Sequence, residues 1–149
     1  MNRRIKQERE ELIGIIQKIL DEAKRQGATT AEADIGTGAG LTVTTRLGEV
    51  EKVEHERDKG LGITVFIGHQ KGSASSSDFS ESAIKDTVTA ACDIARFASE
   101  DEYASLADAA LMANEIPELD LYHPWEIIPE DAIQLAVDCE AVAKNEDKR

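Results

Sequence analysis

The chain has 149 residues, with 17 lysines and arginines against 30 aspartates and glutamates and a net charge of −13. That length suits one folded domain, or one plus an appendage, without disulfide or metal staples. The acid excess disfavours nucleic acid and anionic membrane surfaces as direct partners, since both call for a basic face.

Leu, Ile, Val and Phe together make up 34 residues. That is about 23% by count, just above the roughly 20% below which charged chains stay disordered. A folded domain with a modest core is expected. Residues 79–149 hold 17 acidic groups against 5 basic ones, so nearly all the charge excess lies there. It reads either as a solvated surface or as a face for a protein partner.

Residues 1–11 are polar and read as an N-terminal extension, and residues 12–149 as the domain. The apolar cluster from Leu12 to Ile16 is too short for a signal h-region or a membrane span. Residues 3–26 carry helical periodicity. Leu12, Ile16, Ile19, Leu20 and Ala23 share one face, and Gly27 stands where a C-cap glycine belongs. From Ala31 the period becomes two. Ala31, Ala33 and Ile35 alternate with Glu32 and Asp34, Gly36, Gly38 and Gly40 break the run, and Leu41, Val43 and Thr45 resume it. Leu47-Gly48-Glu49 is a turn candidate. Residues 49–57 read as a strand with one irregularity. Leu61, Ile63, Val65 and Ile67 share one strand face, and Lys71 to Ser77 is a short strand of small residues. Connections this short exclude parallel crossovers, so the meander is antiparallel.

Ser80 is an N-cap candidate for a helix buried through Ile84, Val88, Ala91, Cys92 and Ala95 and ending near Ser99. Residues 100–128 are acidic and irregular, with one short helix near Leu106 to Ala113. Pro129 opens a last helix, where Ile133, Val137, Glu140 and Ala141 give only a thin apolar face. The expected fold is α+β, an antiparallel meander of four to five strands packed on one face by helices. Leu20 and Ile63 are expected in its core.

The chemical motifs are weak. Gly36-Thr37-Gly38-Ala39-Gly40 lacks the third glycine of a dinucleotide fingerprint, since position 41 is Leu, and it precedes a strand where a helix is required. Lys71-Gly72-Ser73 is a P-loop fragment in the wrong order. Ser73, Ser75, Ser76 and Ser77 lie near His69 but form no Gly-x-Ser-x-Gly elbow, so a small serine-dependent hydrolase is the weakest reading. His55, His69 and His123 lack zinc-helix spacing. Cys92 and Cys139 read as two buried thiols. No catalytic, cofactor-binding or metal-ligating residue is selected.

Several ordered stretches are similar to a known family. They are Thr45-Arg46-Leu47-Gly48-Glu49-Val50-Glu51, Gly60-Leu61-Gly62-Ile63-Thr64-Val65 and Lys71-Gly72-Ser73-Ala74-Ser75-Ser76-Ser77-Asp78. The helix from Ala83 to Ser99, with Asp93-Ile94-Ala95-Arg96, and Leu119-Asp120-Leu121-Tyr122-His123-Pro124 complete the set. From about Leu12 to Arg149 the chain resembles the N-terminal domain of the PmbA/TldE branch of the TldD/PmbA metalloprotease family. The Lys-Gly-Ser-Ala-Ser-Ser form is closer to that branch than to TldD.

The resemblance implies a cytoplasmic heterodimer that cleaves peptides, matures microcin precursors, and is linked to DNA gyrase modulation and antitoxin turnover. It implies zinc on a His-Glu-x-x-x-His helix of the TldD subunit, none on this domain, and no transferable catalytic residue. Family members are longer, with a large β-rich C-terminal domain, so the chain reads as a truncated N-terminal piece. The implied partners are that C-terminal domain, a TldD-like subunit and, at one remove, peptide substrate. The rival reading is a standalone acidic module that binds a basic protein through residues 79–149.

Overall fold

The computed structural model describes residues 3–121 and 123–146. Helix α1 spans Arg3–Arg25, strand β1 Thr30–Arg46, β2 Glu49–Ile67, β3 Gln70–Ser76, helix α2 Glu81–Phe97 and helix α3 Pro129–Glu146. The strands form one sheet in the order β1-β2-β3. The chain divides into two compact units. One holds Met1–Thr37 and Asp58–Ala113, and the other Gly38–Arg57 and Asn114–Arg149.

The α+β class holds, but the expected four to five strands are three. The glycine spacing at 36, 38 and 40 predicts a break, yet none of the three has a positive φ. The backbone stays extended through them, and β1 runs unbroken for 17 residues. Residues 49–57 likewise continue into 58–67 as one strand of 19 residues. Glycine permits a bend without imposing one, and hydrogen bonding to the neighbouring strand favours extended backbone.

In the first unit, α1 ends in a Schellman motif. Gly27 has φ +95°. Ala28 N–H donates to the Ala23 carbonyl at 3.0 Å and Gly27 N–H to that of Lys24 at 3.1 Å, which satisfies carbonyls the helix end leaves open. Strands β2 and β3 pair antiparallel, with Ile63 opposite Ala74 and Val65 opposite Gly72. Gly68, with φ +60°, makes the tight reversal between them. Leu61, Ile63 and Val65 alternate onto the face that meets Ile19 and Ala23 of α1 and Ile84, Val88, Ala91, Cys92 and Ala95 of α2.

The small residues of β3 allow this packing. The backbone of α2 lies directly over Gly72, where an added Cβ would stand 2.1 Å from the Ala91 carbonyl oxygen. Ser80 caps α2, its hydroxyl accepting from Ala83 N–H at 3.4 Å. Phe66 is buried on the opposite sheet face, with the Lys71 ammonium 5.9 Å from its ring centre. Ile63 is buried as expected, whereas Leu20 is half-buried and its neighbour Ile19 holds the core position. The short helix expected near Leu106 to Ala113 contracts to one 3₁₀ turn, Ala109–Leu111, capped by the Asp108 carboxylate.

In the second unit, Leu47 (φ +57°) and Gly48 (φ +85°) make a two-residue reversal between β1 and β2. Two positive φ values in succession match the twist of paired strands. Helix α3 accompanies this hairpin end and buries no side chain fully. Ala132, Ile133, Ala136 and Val137 are half-buried.

Candidate interaction surface

Two surface features of the second unit carry chemistry. The first is a polar anchorage at the hairpin tip. Glu140 accepts from Leu47 N–H at 2.6 Å and from Gly48 N–H at 2.8 Å, one bond to each carboxylate oxygen. Lys144, one turn further along α3, stands 3.5 Å from the same carboxylate. The Thr45 hydroxyl donates to the Ala136 carbonyl at 3.4 Å. The Gly48 amide, reinforced by Leu47 and the Lys144 charge, holds the Glu140 carboxyl below its ordinary range, against a smaller opposing effect of desolvation.

The second feature is a cleft of about 560 Å³, lined chiefly by apolar groups from Leu41, Val43, Trp125, Leu135 and Ala136, with His55 and Cys139 at its wall. The first unit has a groove of about 530 Å³ between α1 and α2. Its charged lining is partly self-neutralised, since Lys18 pairs with Glu81 at 2.9 Å.

A run of large apolar side chains is left bare. Phe97 is 91% exposed, Ile116 88%, Leu111 82%, Leu121 81% and Trp125 73%. Single exposed apolar residues are ordinary, but within the second unit Ile116, Leu121 and Trp125 are all bare, which marks surface suited to cover.

The nucleophile and ligand candidates do not converge. Ser73 shares a hydrogen bond with Thr64 at 2.9 Å, and Ser76 binds the Asp78 backbone. Among the described residues no histidine or carboxylate hydrogen-bonds to Ser73, Ser75, Ser76 or Ser77, so the cluster lacks the base that activates a serine. His69 is exposed at the β2–β3 turn, and His123 makes a local bond to the Asp120 carbonyl at 2.6 Å. His55 lines the cleft on β2. Among the described residues no three His, Cys, Asp or Glu side chains are grouped to hold a metal ion. Gly72 of Lys71-Gly72-Ser73 is a packing residue.

Of the two thiols, Cys92 is buried as expected, but Cys139 is exposed. The thin face of α3 covers too little surface to hide it. Glu140 was legible only as a helix position. Its turn partners lie more than 90 residues away, and no local signal links them.

The fold is that of an α+β domain with large apolar side chains left exposed on its surface. Residues 31–95 match the family described as PmbA/TldA metallopeptidase domain 1. The chain is 50% identical over 119 residues to metalloprotease PmbA of Escherichia coli O157:H7, covering 80% of this chain and 26% of that protein. It is 43% identical over 145 residues to the PmbA homologue of Haemophilus influenzae, covering 97% and 32%.

Among solved structures, a proposed modulator of DNA gyrase from Bacteroides thetaiotaomicron superposes with a TM-score of 0.79. The identity is 22%, with 91% of this chain and 30% of that one covered. TldE from Thermococcus kodakarensis gives 0.70 at 16% identity, covering 90% and 30%. The chain belongs to the PmbA/TldE family, as its N-terminal domain. It spans about a quarter to a third of the length of the curated relatives it matches. Among the described residues no helix is long and apolar enough to cross a membrane.

Proposed function

We propose that the chain is a non-catalytic scaffold of a PmbA/TldE-type subunit working in the cytoplasm. It packs on the remainder of a longer polypeptide and on a TldD-like partner, and it helps wall a chamber in which the partner's zinc cleaves peptide. The bare side chains of Ile116, Leu121 and Trp125 in the second unit carry this reading. Side chains of that size are stabilised by burial, each by about 1.5–3 kcal/mol. The length of the relatives supports it, since roughly two thirds or more of each lies outside the matched domain. With an acidic surface, any link to gyrase runs through proteolysis and not through contact with DNA.

Co-purification of the chain, within its full reading frame, with a TldD-type subunit tests the reading. The expected result is a stable complex that cleaves peptide, weakened by Ile116→Asp or Leu121→Asp. No complex and no gain in cleavage would refute it.

The acid excess of residues 79–149 favours a second reading, an acidic module for a basic protein partner. That binding would weaken steeply as salt screens the exposed charges. Salt-insensitive binding would exclude it.

A further inference from the structure

We propose that Glu140 is a releasable clasp that docks α3 on the tip of the β1–β2 hairpin. The clasp lies wholly within the second unit. Leu47 adopts φ +57° and Gly48 φ +85°, which turns two adjacent amides toward one point. Such a concavity of N–H groups is a receptor for an anion. One carboxylate fills it with both oxygens, at 2.6 and 2.8 Å. A leucine in the left-handed region is strained, because its Cβ crowds the backbone. Strain of this kind persists only where surrounding bonds over-determine it, and the two bonds to Glu140 do so.

Burial holds α3 only weakly, through the half-buried Ala132, Ile133, Ala136 and Val137. It has no fully buried side chain, and Leu135 and Val142 are half or more exposed. A helix with so thin an apolar face depends on its directed contacts. The directed contacts that tie it to the hairpin are the Glu140 bonds and the Thr45 hydroxyl on the Ala136 carbonyl. The bonds to Glu140 are charge-assisted, the stronger class. Lys144 holds the carboxylate from within the same helix, so it orients the clasp without anchoring α3 itself. Whatever withdraws the Glu140 carboxylate or reshapes the hairpin tip undocks α3 and bares the lining at Leu41 and Val43. The clasp is independent of subunit pairing, which could fail with the clasp intact.

Amide hydrogen exchange on the whole chain at neutral pH, followed by NMR, tests this. In Glu140→Ala the Leu47 and Gly48 amides should exchange at least about tenfold faster. The amides of α3 should rise with them, while Val88 and Cys92 of α2 keep their protection. Glu140→Gln retains one acceptor oxygen and should lie between. Unchanged exchange at Leu47 and Gly48 would overturn the proposal. So would continued protection of α3 once those amides are freed. Equal loss of protection in α2 in both variants would also overturn it, since a clasp acts locally.

Discussion

Gly72→Ala asks whether α2 rests on the bare backbone of β3. A Cβ at residue 72 would stand 2.1 Å from the Ala91 carbonyl oxygen, 2.5 Å from the Ala95 nitrogen and 3.1 Å from the Ala95 Cα. All three are main-chain atoms of a helix, so none can rotate away. Real Cβ atoms essentially never approach within 3.0 Å, so the 2.1 Å gap must open by 0.9 Å. That retreat lifts Ile84, Val88, Ala91, Cys92 and Ala95 from their partners together. A radial gap of about 0.5–1 Å forfeits a quarter to a half of each dispersion contact.

Overpacking costs about 1–3 kcal/mol when side chains can adjust, and here they cannot, so about 3 kcal/mol or more is expected. The alanine gains back only about 0.5–1 kcal/mol through the backbone freedom that glycine loses on folding. For a domain of this size the net loss lowers Tm by roughly 4–10 °C. Thermal and urea melts followed by circular dichroism measure it. Gly62→Ala is the matched control, because its Cβ would meet only the Asp34 carboxylate, at 2.5 Å, and that flexible end can move. A Gly72→Ala protein as stable as its parent, or no worse than Gly62→Ala, would refute the packing argument.

Three other outcomes are expected. Ile63→Ala should cost about 2–5 kcal/mol and Leu20→Ala clearly less, because Ile63 is buried and Leu20 only half so; equal losses in urea melts would contradict the assignment. One thiol per chain, Cys139, should react promptly with a disulfide reagent in the native protein. Cys92 should react only on unfolding, because burial in the core pushes its thiol pKa up. Asp78 accepts from the Ser80 amide at 2.9 Å, and that bond, then the Ser80 hydroxyl and the Lys59 charge, holds its carboxyl below the ordinary 3.8. A carboxyl depressed on folding contributes stability that is complete above its unfolded pKa and is lost as pH falls through the folded one. Asp78→Asn should therefore flatten the Tm profile below about pH 4 while leaving its slope near neutrality unchanged, and an unaltered acid limb would exclude the contribution.

Local rules carried the sequence reading where the cause is local. The Ser80 cap, the Gly27 terminus, the Pro129 start and the alternation at Leu61, Ile63 and Val65 each depend on a few adjacent residues, and all appear where expected. The strand count differs because glycine spacing predicts a break that the structure does not contain. Whether Gly36, Gly38 and Gly40 bend is decided by the strand beside them, not by the glycines. The resemblance over ordered segments sufficed to identify the family, since a shared run of residues needs no geometry to be recognised.

What the sequence determined by itself was the α+β class, the positions of the helices, the acidic C-terminal half and the family. These follow from periodicity, capping chemistry, composition and likeness. Only the tertiary structure decided that Gly72 seats a helix, that Leu20 is only half-buried, that Cys139 is exposed, and that Glu140 grips the turn at Leu47 and Gly48. Each depends on groups brought together from distant points of the chain. Such meetings are set by how the surfaces pack, and no short-range pattern records them.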